Sequence, residues 1–210
     1  AISFFNMGVS TGLGFAYLVG GLIVGWMHTR PAVELPLVGE LATWQAIFVL
    51  AGIPGLIIAA VIATIREPVR RDRITNNGRQ PTLRDCLRYV FARRRAYFPL
   101  MIGMGTSPLI GYAWNWLPTM FTRTWGWSVS DLAAVYGWIL VIFGPLGALS
   151  GGWIATALYR RGRTDAPYIA VIIALSSMVV VSTLLPLMPS AEWAALLLVP
   201  ATWAGAMSTA

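Results

Sequence analysis

Apolar residues in this chain run in long stretches that short polar segments separate. Six of these stretches are close to or above the length of about 20 residues that a helix needs to cross a bilayer. None has Asp, Glu, Arg or Lys in its interior, where each would cost about 2.5–3.5 kcal/mol at the centre of an inserted helix. The pattern predicts an all-α, polytopic transmembrane helical bundle. We place its spans at residues 2–27, 44–65, 98–121, 132–159, 167–187 and 193 to the end.

Composition agrees with this class of protein. Hydrophobic residues make up 57% of the 210 positions and charged residues only 11%, where an average soluble domain carries roughly 25% charged residues. The net charge of +7 could suggest nucleic acid. The charges lie between the apolar stretches, however, which is typical of a topological signal and not of a nucleic-acid surface.

The arginines define an orientation. All fifteen basic residues are arginine, ten of them between the second and third spans and three just after the fourth. Arg30 and Arg123 alone fall in the other loops. Because cytoplasmic loops collect Arg and Lys, loops 66–96 and 160–166 are predicted to be cytoplasmic.

The long basic loop contains its own helical pattern. Thr82 and Asp85 form a possible capping box, and Leu83, Leu87 and Phe91 recur at helical spacing. The pattern over residues 82–95 suits an amphipathic helix on the anionic inner leaflet. A solvated basic linker is the alternative. A second capping pattern, Ser128 with Asp131, is expected to begin the fourth span.

Glycines are concentrated in the first and fourth spans. Pairs at positions 8/12, 21/25 and 147/151 place small residues on one helix face, which lets backbones approach closely in lipid. Such a face suits either static packing or a contact that moves. Prolines interrupt several spans, as they do both in transporters and in rigid membrane proteins.

The third span carries the main polar cluster. Tyr112 and Asn115, with Pro108, Gly111 and Thr119, recur at intervals of three or four residues. Polar groups facing lipid would be costly, so this face should point into protein or water. It could be a wall that lines a solute pathway or a hydrogen-bonded seam between helices.

Catalytic chemistry has little support in these residues. His28 and Cys86 are the single histidine and cysteine, and no catalytic constellation or phosphate-binding loop stands out. We therefore expect no enzyme activity, no cofactor and no metal.

Three segments resemble the major facilitator superfamily of transporters, and its spinster-like branch in particular. The segment TWQAIFVLAGIPGLIIAAVIATIREPVRR resembles the sixth helix and its exit. The segment GGWIATALYRRGRTDAP is similar to the second copy of the inner-loop signature, and GLGFAYLVGG resembles the glycine-rich fifth helix. The resemblance implies helices five to ten of twelve, so we expect the chain to be part of a longer protein.

The resemblance also implies a division of the chain and a set of site residues. Residues 1–65 would end the N-terminal half, 66–96 would form the central cytoplasmic loop, and 97–210 would begin the C-terminal half. The third and sixth spans would line the central cavity. The candidates for solute contact are Tyr112 and Asn115, with Trp116 and Trp203 after them, and the inner-loop signature implicated in gating comprises Gly151, Gly152, Arg160, Arg161 and Arg163.

Two positions depart from the family pattern. Thr156 occupies the place of the usual aspartate of the inner-loop signature, so the Asp–Arg contact that latches the inner gate should be missing or replaced. The glycine-proline pair of antiporters would fall at Ala16 and Tyr17. The sequence therefore does not predict solute exchange.

The combined prediction is a secondary transporter of a small organic or amphipathic solute in a bacterial cytoplasmic (inner) membrane, working by alternating access. Its expected partners are that solute, the lipid bilayer, and anionic inner-leaflet lipids at the 82–95 helix. Nucleic acid is not expected. The main alternative is a membrane scaffold or subunit that transports nothing and whose polar faces only hold helices together.

Overall fold

The computed structural model describes residues 2–29, 33–35, 39–66 and 82–209. The chain divides into two compact units. One comprises Ala1–Ile53 with Pro118–Ala210, and the other comprises Pro54–Leu117.

The described residues form a helical protein with one small hairpin. The eight α-helices and two strands are α1 (Ile2–His28), β1 (Val33–Leu35), β2 (Gly39–Leu41), α2 (Thr43–Ala63), α3 (Leu83–Ala92), α4 (Arg94–Ala113), α5 (Leu117–Trp125), α6 (Val129–Arg160), α7 (Ala166–Leu184) and α8 (Ala191–Met207). The strands pair antiparallel, with Glu34 opposite Glu40. The all-α class predicted from the apolar stretches is confirmed.

Four helical segments are long and apolar enough to cross a membrane: Ser3–Met27, Thr43–Ala63, Val129–Arg160 and Ala166–Leu187. They match four of the six predicted spans. The predicted sixth span is the 17-residue helix α8. The predicted third span is divided into α4, a 3-10 turn at Trp114–Trp116, and α5.

The break in the third span has a local cause. Pro118 has no N–H and cannot donate to the carbonyl of Trp114 four residues earlier. The Leu117 N–H bonds that carbonyl instead, at the shorter 3-10 spacing. Hydropathy alone does not register this change of helix type.

Both predicted capping boxes are confirmed. At the start of α6 the Asp131 N–H donates to Ser128 Oγ at 3.1 Å, and the Ser128 N–H donates to an Asp131 carboxylate oxygen at 3.3 Å. Thr82 and Asp85 make the same reciprocal pair at the start of α3. Each pair satisfies two N–H groups that the first helical turn leaves without a partner.

Helix α6 ends at the point where the sequence changes from small apolar residues to arginines. Gly162 has φ of +82°, in the left-handed region that glycine adopts without steric cost. The Gly162 N–H bonds the Tyr159 carbonyl at 2.9 Å, and the Arg163 N–H bonds the Leu158 carbonyl at 3.2 Å. These bonds close the C-terminus of the helix and leave the arginines just beyond the apolar segment.

The central packing contact joins α1 to α6 in antiparallel register. Glycines on α6 face α1, since Gly152 faces Ser3, Gly144 faces Ser10 and Gly137 faces Leu18. Glycines on α1 face α6 in the same way, Gly21 against Ala133 and Gly25 against Ser130. We call this contact the glycine seam. Within this seam the closest approach to backbone atoms is at Gly14, where an added Cβ would lie 2.8 Å from the Val141 backbone nitrogen and 2.9 Å from the Gly137 oxygen.

The other face of α6 packs against α8, and α8 in turn packs against α7. Gly147 permits close contact there, because an added Cβ would lie 2.9 Å from Trp203 Cδ1 and 3.0 Å from Ala206 Cβ. The core at these contacts consists largely of small residues, with Leu140 and Leu198 as larger buried side chains. Small buried residues are what close helix packing in lipid requires.

Two apolar clusters complete the first unit near the predicted outer surface. Met27, Leu41 and Ala46 are buried together where α1, β2 and α2 meet. Phe121 is fully buried, and the centroid of its ring lies 4.9 Å from that of Trp125 and 5.6 Å from that of Trp127. Both tryptophans thus pack on Phe121.

We predict that Gly14→Ala destabilises the protein. The added methyl would overlap the backbone of α6, which cannot move aside as a flexible side chain can, so overpacking should cost about 1–3 kcal/mol. Thermal unfolding of purified protein in detergent, followed by the loss of the monodisperse peak, should show a lower Tm.

The matched control is Gly12→Ala on the same helix, where an added Cβ has no neighbour within 4 Å among the described atoms. This variant should keep or raise the Tm, because alanine is the better helix former. Equal losses in both variants would contradict the glycine seam as described.

Candidate functional site

The predicted solute-facing residues of the third span lie in the second unit. Tyr112 is in the last turn of α4, and Asn115 and Trp116 are in the 3-10 turn that follows. The Tyr112 side chain is 65% exposed and that of Trp116 is 70% exposed, and Asn115 is exposed as well. Their polar and aromatic groups are therefore accessible within their own unit.

Trp203 lies in the first unit, on α8. Its indole N–H donates to Ser150 Oγ on α6 at 2.9 Å, and Ser150 in turn donates to the Gly147 carbonyl at 2.8 Å. The side chain remains 45% exposed. The indole nitrogen is thus used in helix packing, while part of the ring surface stays accessible.

The two signature glycines pack closely on α6. Gly151 is buried, and a Cβ added at Gly152 would collide with the Ser3 side chain of α1. The absence of a side chain at Gly152 thus lets α1 approach α6 at this point. Arg160 and Arg161, at the end of the same helix, are exposed.

Thr156 and Arg163 each make a local interaction. Thr156 Oγ1 donates to the Gly152 carbonyl of its own helix at 2.7 Å. Arg163 instead forms a two-point contact with Asp165, at 3.2 and 3.0 Å. Both side chains are more than half exposed, so this pair adds little stability.

The Arg163 guanidinium holds the pKa of the Asp165 carboxyl below its usual range. A carboxyl with a lowered pKa keeps its partner at neutral pH and loses it only as the pH falls through that lowered value. The contact between Arg163 and Asp165 is therefore present at physiological pH.

A group of hydroxyl side chains that the sequence pattern does not reveal lies at the contacts of α1, α6 and α8. Tyr17 and Tyr136 pack edge to face across the glycine seam, with ring centroids 5.0 Å apart. Thr202 on α8 is 7% exposed, and its Oγ1 has no hydrogen-bond partner among the described residues. The Tyr136 hydroxyl lies close to Thr202. We call these three residues the hydroxyl cluster.

Each hydroxyl group of this cluster can be recognised in the sequence, because a polar side chain in an apolar span is conspicuous. Spacing within one helix could not reveal it, however, since its three members lie on three different helices. Only the register between helices brings them together.

Two apolar cavities lie along the glycine seam. The larger, of about 590 Å³, is bounded by Leu22 and Trp26 on α1 and by Ser130 and Trp138 on α6. The smaller, of about 250 Å³, is lined by Tyr17 of the hydroxyl cluster, with Leu13, Val24 and Leu132 among its apolar walls. In the described parts of the chain, no three His, Cys, Asp or Glu side chains are grouped so that they could hold a metal ion.

Comparison with known proteins gives one family. A family model described as Major Facilitator Superfamily matches residues 1–210. Searches of curated proteins and of solved structures give no significant match.

We predict a measurable coupling between Ser150 and Trp203. In a double-mutant cycle of Ser150→Ala and Trp203→Phe, the coupling energy should be about 0.6 kcal/mol, the average for side-chain hydrogen bonds between membrane helices. Unfolding of the four proteins in mixed micelles measures it. Strictly additive effects would mean that the indole N–H does not depend on Ser150.

We also predict that Thr202→Val keeps or raises the Tm. Valine has the shape of threonine without the unbonded hydroxyl, whose burial is unfavourable. Thr202→Ala is the control, since it leaves a void and should lower the Tm. An equal loss of Tm in both variants would show that the Thr202 hydroxyl is bonded in the folded protein.

Proposed function

Because the chain belongs to the major facilitator superfamily, a family of membrane transporters, we propose that it carries a small organic or amphipathic solute across the bilayer by alternating access. Members of this family are not enzymes in general. The observation that carries the proposal is the family match over residues 1–210. The glycine seam, which joins two long apolar helices through small residues over most of their length, is compatible with it.

We assign the described helices to helices five to ten of a twelve-helix transporter of the spinster-like type. Residues 1–65 then end the first half of the transporter, and residues 97–210 begin the second half. On this assignment α1 belongs to the first half and α6 to the second. The glycine seam would therefore be a contact between the halves that rock in alternating access.

Small residues suit such a contact. Long interdigitating side chains would have to leave their positions for two helices to change angle, whereas glycine, alanine and serine present a smooth surface. Static packing predicts the same residues. A test of solvent access at the solute site is therefore needed to separate the two roles.

We propose Tyr112 and Asn115 as the principal solute-facing residues, with Trp116 beside them. Their exposure within their own unit supports this role. Trp203 would offer its exposed ring surface, since its N–H is already bonded to Ser150. We place Gly151, Gly152, Arg160, Arg161 and Arg163 at the inner gate.

The hydroxyl cluster is a further candidate for solute contact. The 250 Å³ cavity beside Tyr17 has apolar walls, and the cluster itself carries hydroxyl groups and no formal charge. Such surroundings favour an uncharged polar group joined to an apolar body over an ion. This chemistry agrees with an amphipathic solute.

One observation favours the alternative of a scaffold that transports nothing. Ser150 and Trp203 form a hydrogen bond between helices, which is how a purely structural polar seam would be built. The two functions differ in whether the polar face around Asn115 meets water.

We propose that loops 66–96 and 160–166 face the cytoplasm of a bacterial cell, with the protein in the inner membrane. Thirteen of the fifteen arginines lie in these two loops, and this asymmetry supports the orientation.

Labelling from the two sides of the membrane tests the proposal. In the intact protein, Cys86→Ser is combined with Asn115→Cys, and sealed vesicles of each orientation are treated with a membrane-impermeant maleimide. Alternating access predicts modification of the new cysteine from both sides, because the solute site opens to each in turn. Modification from neither side would make Asn115 a packing residue and would contradict its proposed role.

Two controls make the result interpretable. Thr164→Cys in the Cys86→Ser background places the thiol at an exposed position of the 160–166 loop, so it should react only from the cytoplasmic side and reports the orientation and sealing of the vesicles. Leu198→Cys in the Cys86→Ser background places the thiol at a fully buried position and should not react from either side.

A further inference from the structure

Helix α3 has an apolar face that the rest of its described unit does not cover. Leu83 is 77% exposed, Leu87 is 49% exposed and Phe91 is 71% exposed, and none of the ten residues of α3 is buried. These three residues recur every four positions, so they form one stripe along the helix. We call it the apolar stripe.

Arginines flank this stripe on one side. Arg84 and Arg88 are one helical turn apart and both are exposed. At 100° per residue they lie about 100° and 140° around the axis from Leu83, next to Phe91. Residues 82–95 contain five arginines and a single aspartate.

That aspartate is already engaged at the start of the helix. The Asp85 carboxylate accepts hydrogen bonds from the Thr82 N–H at 3.0 Å and from the Thr82 hydroxyl at 2.6 Å. These bonds hold the pKa of Asp85 below its usual range, so α3 keeps its N-terminal cap at neutral pH and loses it only as the pH falls through that lowered value. Asp85 lies on the side of α3 opposite the apolar stripe.

Helix α3 is shorter than predicted. The predicted 82–95 helix stops at Ala92, and Arg93, with φ of −110° and ψ of 31°, separates it from α4. The Arg93 guanidinium lies 4.1 Å from the centre of the Tyr89 ring, and the Tyr89 and Tyr97 rings pack at 6.0 Å. The single-helix prediction over 82–95 was therefore wrong at this point. A short, separate helix can take a direction of its own between two apolar ones.

We propose that α3 lies in the plane of the membrane surface and binds anionic phospholipid, with the apolar stripe among the acyl chains and Arg84 and Arg88 on the headgroups. Lipid is the occupant that matches both properties of this surface. An anionic leaflet offers apolar chains immediately below a layer of negative charge. A solvated linker would leave the apolar stripe in water, and an apolar protein surface would offer no negative charge to the arginines beside it.

The single cysteine makes the proposal testable. Cys86 is exposed and lies at the edge of the apolar stripe opposite the arginines, so a bimane group attached there reports the depth of α3. The labelled full-length protein is reconstituted into vesicles of phosphatidylcholine alone or of phosphatidylcholine and phosphatidylglycerol in equal parts. Lipids brominated along the acyl chain serve as the quencher in both.

Membrane binding predicts blue-shifted bimane emission and strong quenching in the vesicles with phosphatidylglycerol. Arg84→Gln with Arg88→Gln should remove most of the difference between the two lipid compositions, and so should high salt. Leu87→Gln with Phe91→Gln should abolish quenching in both compositions. The matched control is Arg160→Gln with Arg161→Gln, which removes the same charge from the other basic loop and should leave bimane emission unchanged.

Three outcomes would overturn the proposal. Water-like emission in both compositions would make α3 a solvated linker. Blue-shifted emission without quenching would mean that protein covers the stripe. Quenching that is equally strong with and without phosphatidylglycerol, and that the arginine substitutions do not reduce, would mean that α3 inserts through its apolar stripe without recognising anionic headgroups. None of these outcomes bears on transport, so this proposal and the proposed function can fail separately.

Discussion

The close approach of α1 and α6 is the constraint on which the first unit depends. In lipid the hydrophobic effect does not draw helices together, so contact must come from van der Waals packing and a few hydrogen bonds. Gly14, Gly137 and Gly144 meet this condition by bringing backbone and small side chains within reach across the seam. The other face of helix α6 packs against α8, where Gly147 again allows close contact, in this case with Trp203.

Features that depend on a few neighbouring residues could be predicted from the sequence. The capping boxes at Ser128 and Thr82 were confirmed because each involves groups three residues apart. The four helices long enough to cross a membrane were evident from hydropathy for the same reason. The change at Trp114–Trp116 was missed, since a hydropathy pattern does not register the missing N–H of Pro118.

Features that depend on register between helices could not be predicted. Gly8, Gly12, Gly21 and Gly25 formed equally convincing pairs in the sequence, yet only the latter two meet α6, and the former two have open space within 4 Å among the described atoms. Tyr17, Tyr136 and Thr202 likewise come together only through the way three helices pack. Tyr112 and Asn115, which lie in the second unit, stay predicted solute contacts.

The composition of the glycine seam also has a consequence for conformational entropy. Burying a long side chain freezes several rotatable bonds, at a cost of up to about 2 kcal/mol, whereas glycine and alanine have no side-chain rotamers to lose. The faces that meet across α1 and α6 are made largely of such residues, with serine and a few larger side chains between them. The two helices can therefore separate and meet again with little loss of side-chain conformational entropy. The free energy of the contact then depends mainly on van der Waals packing.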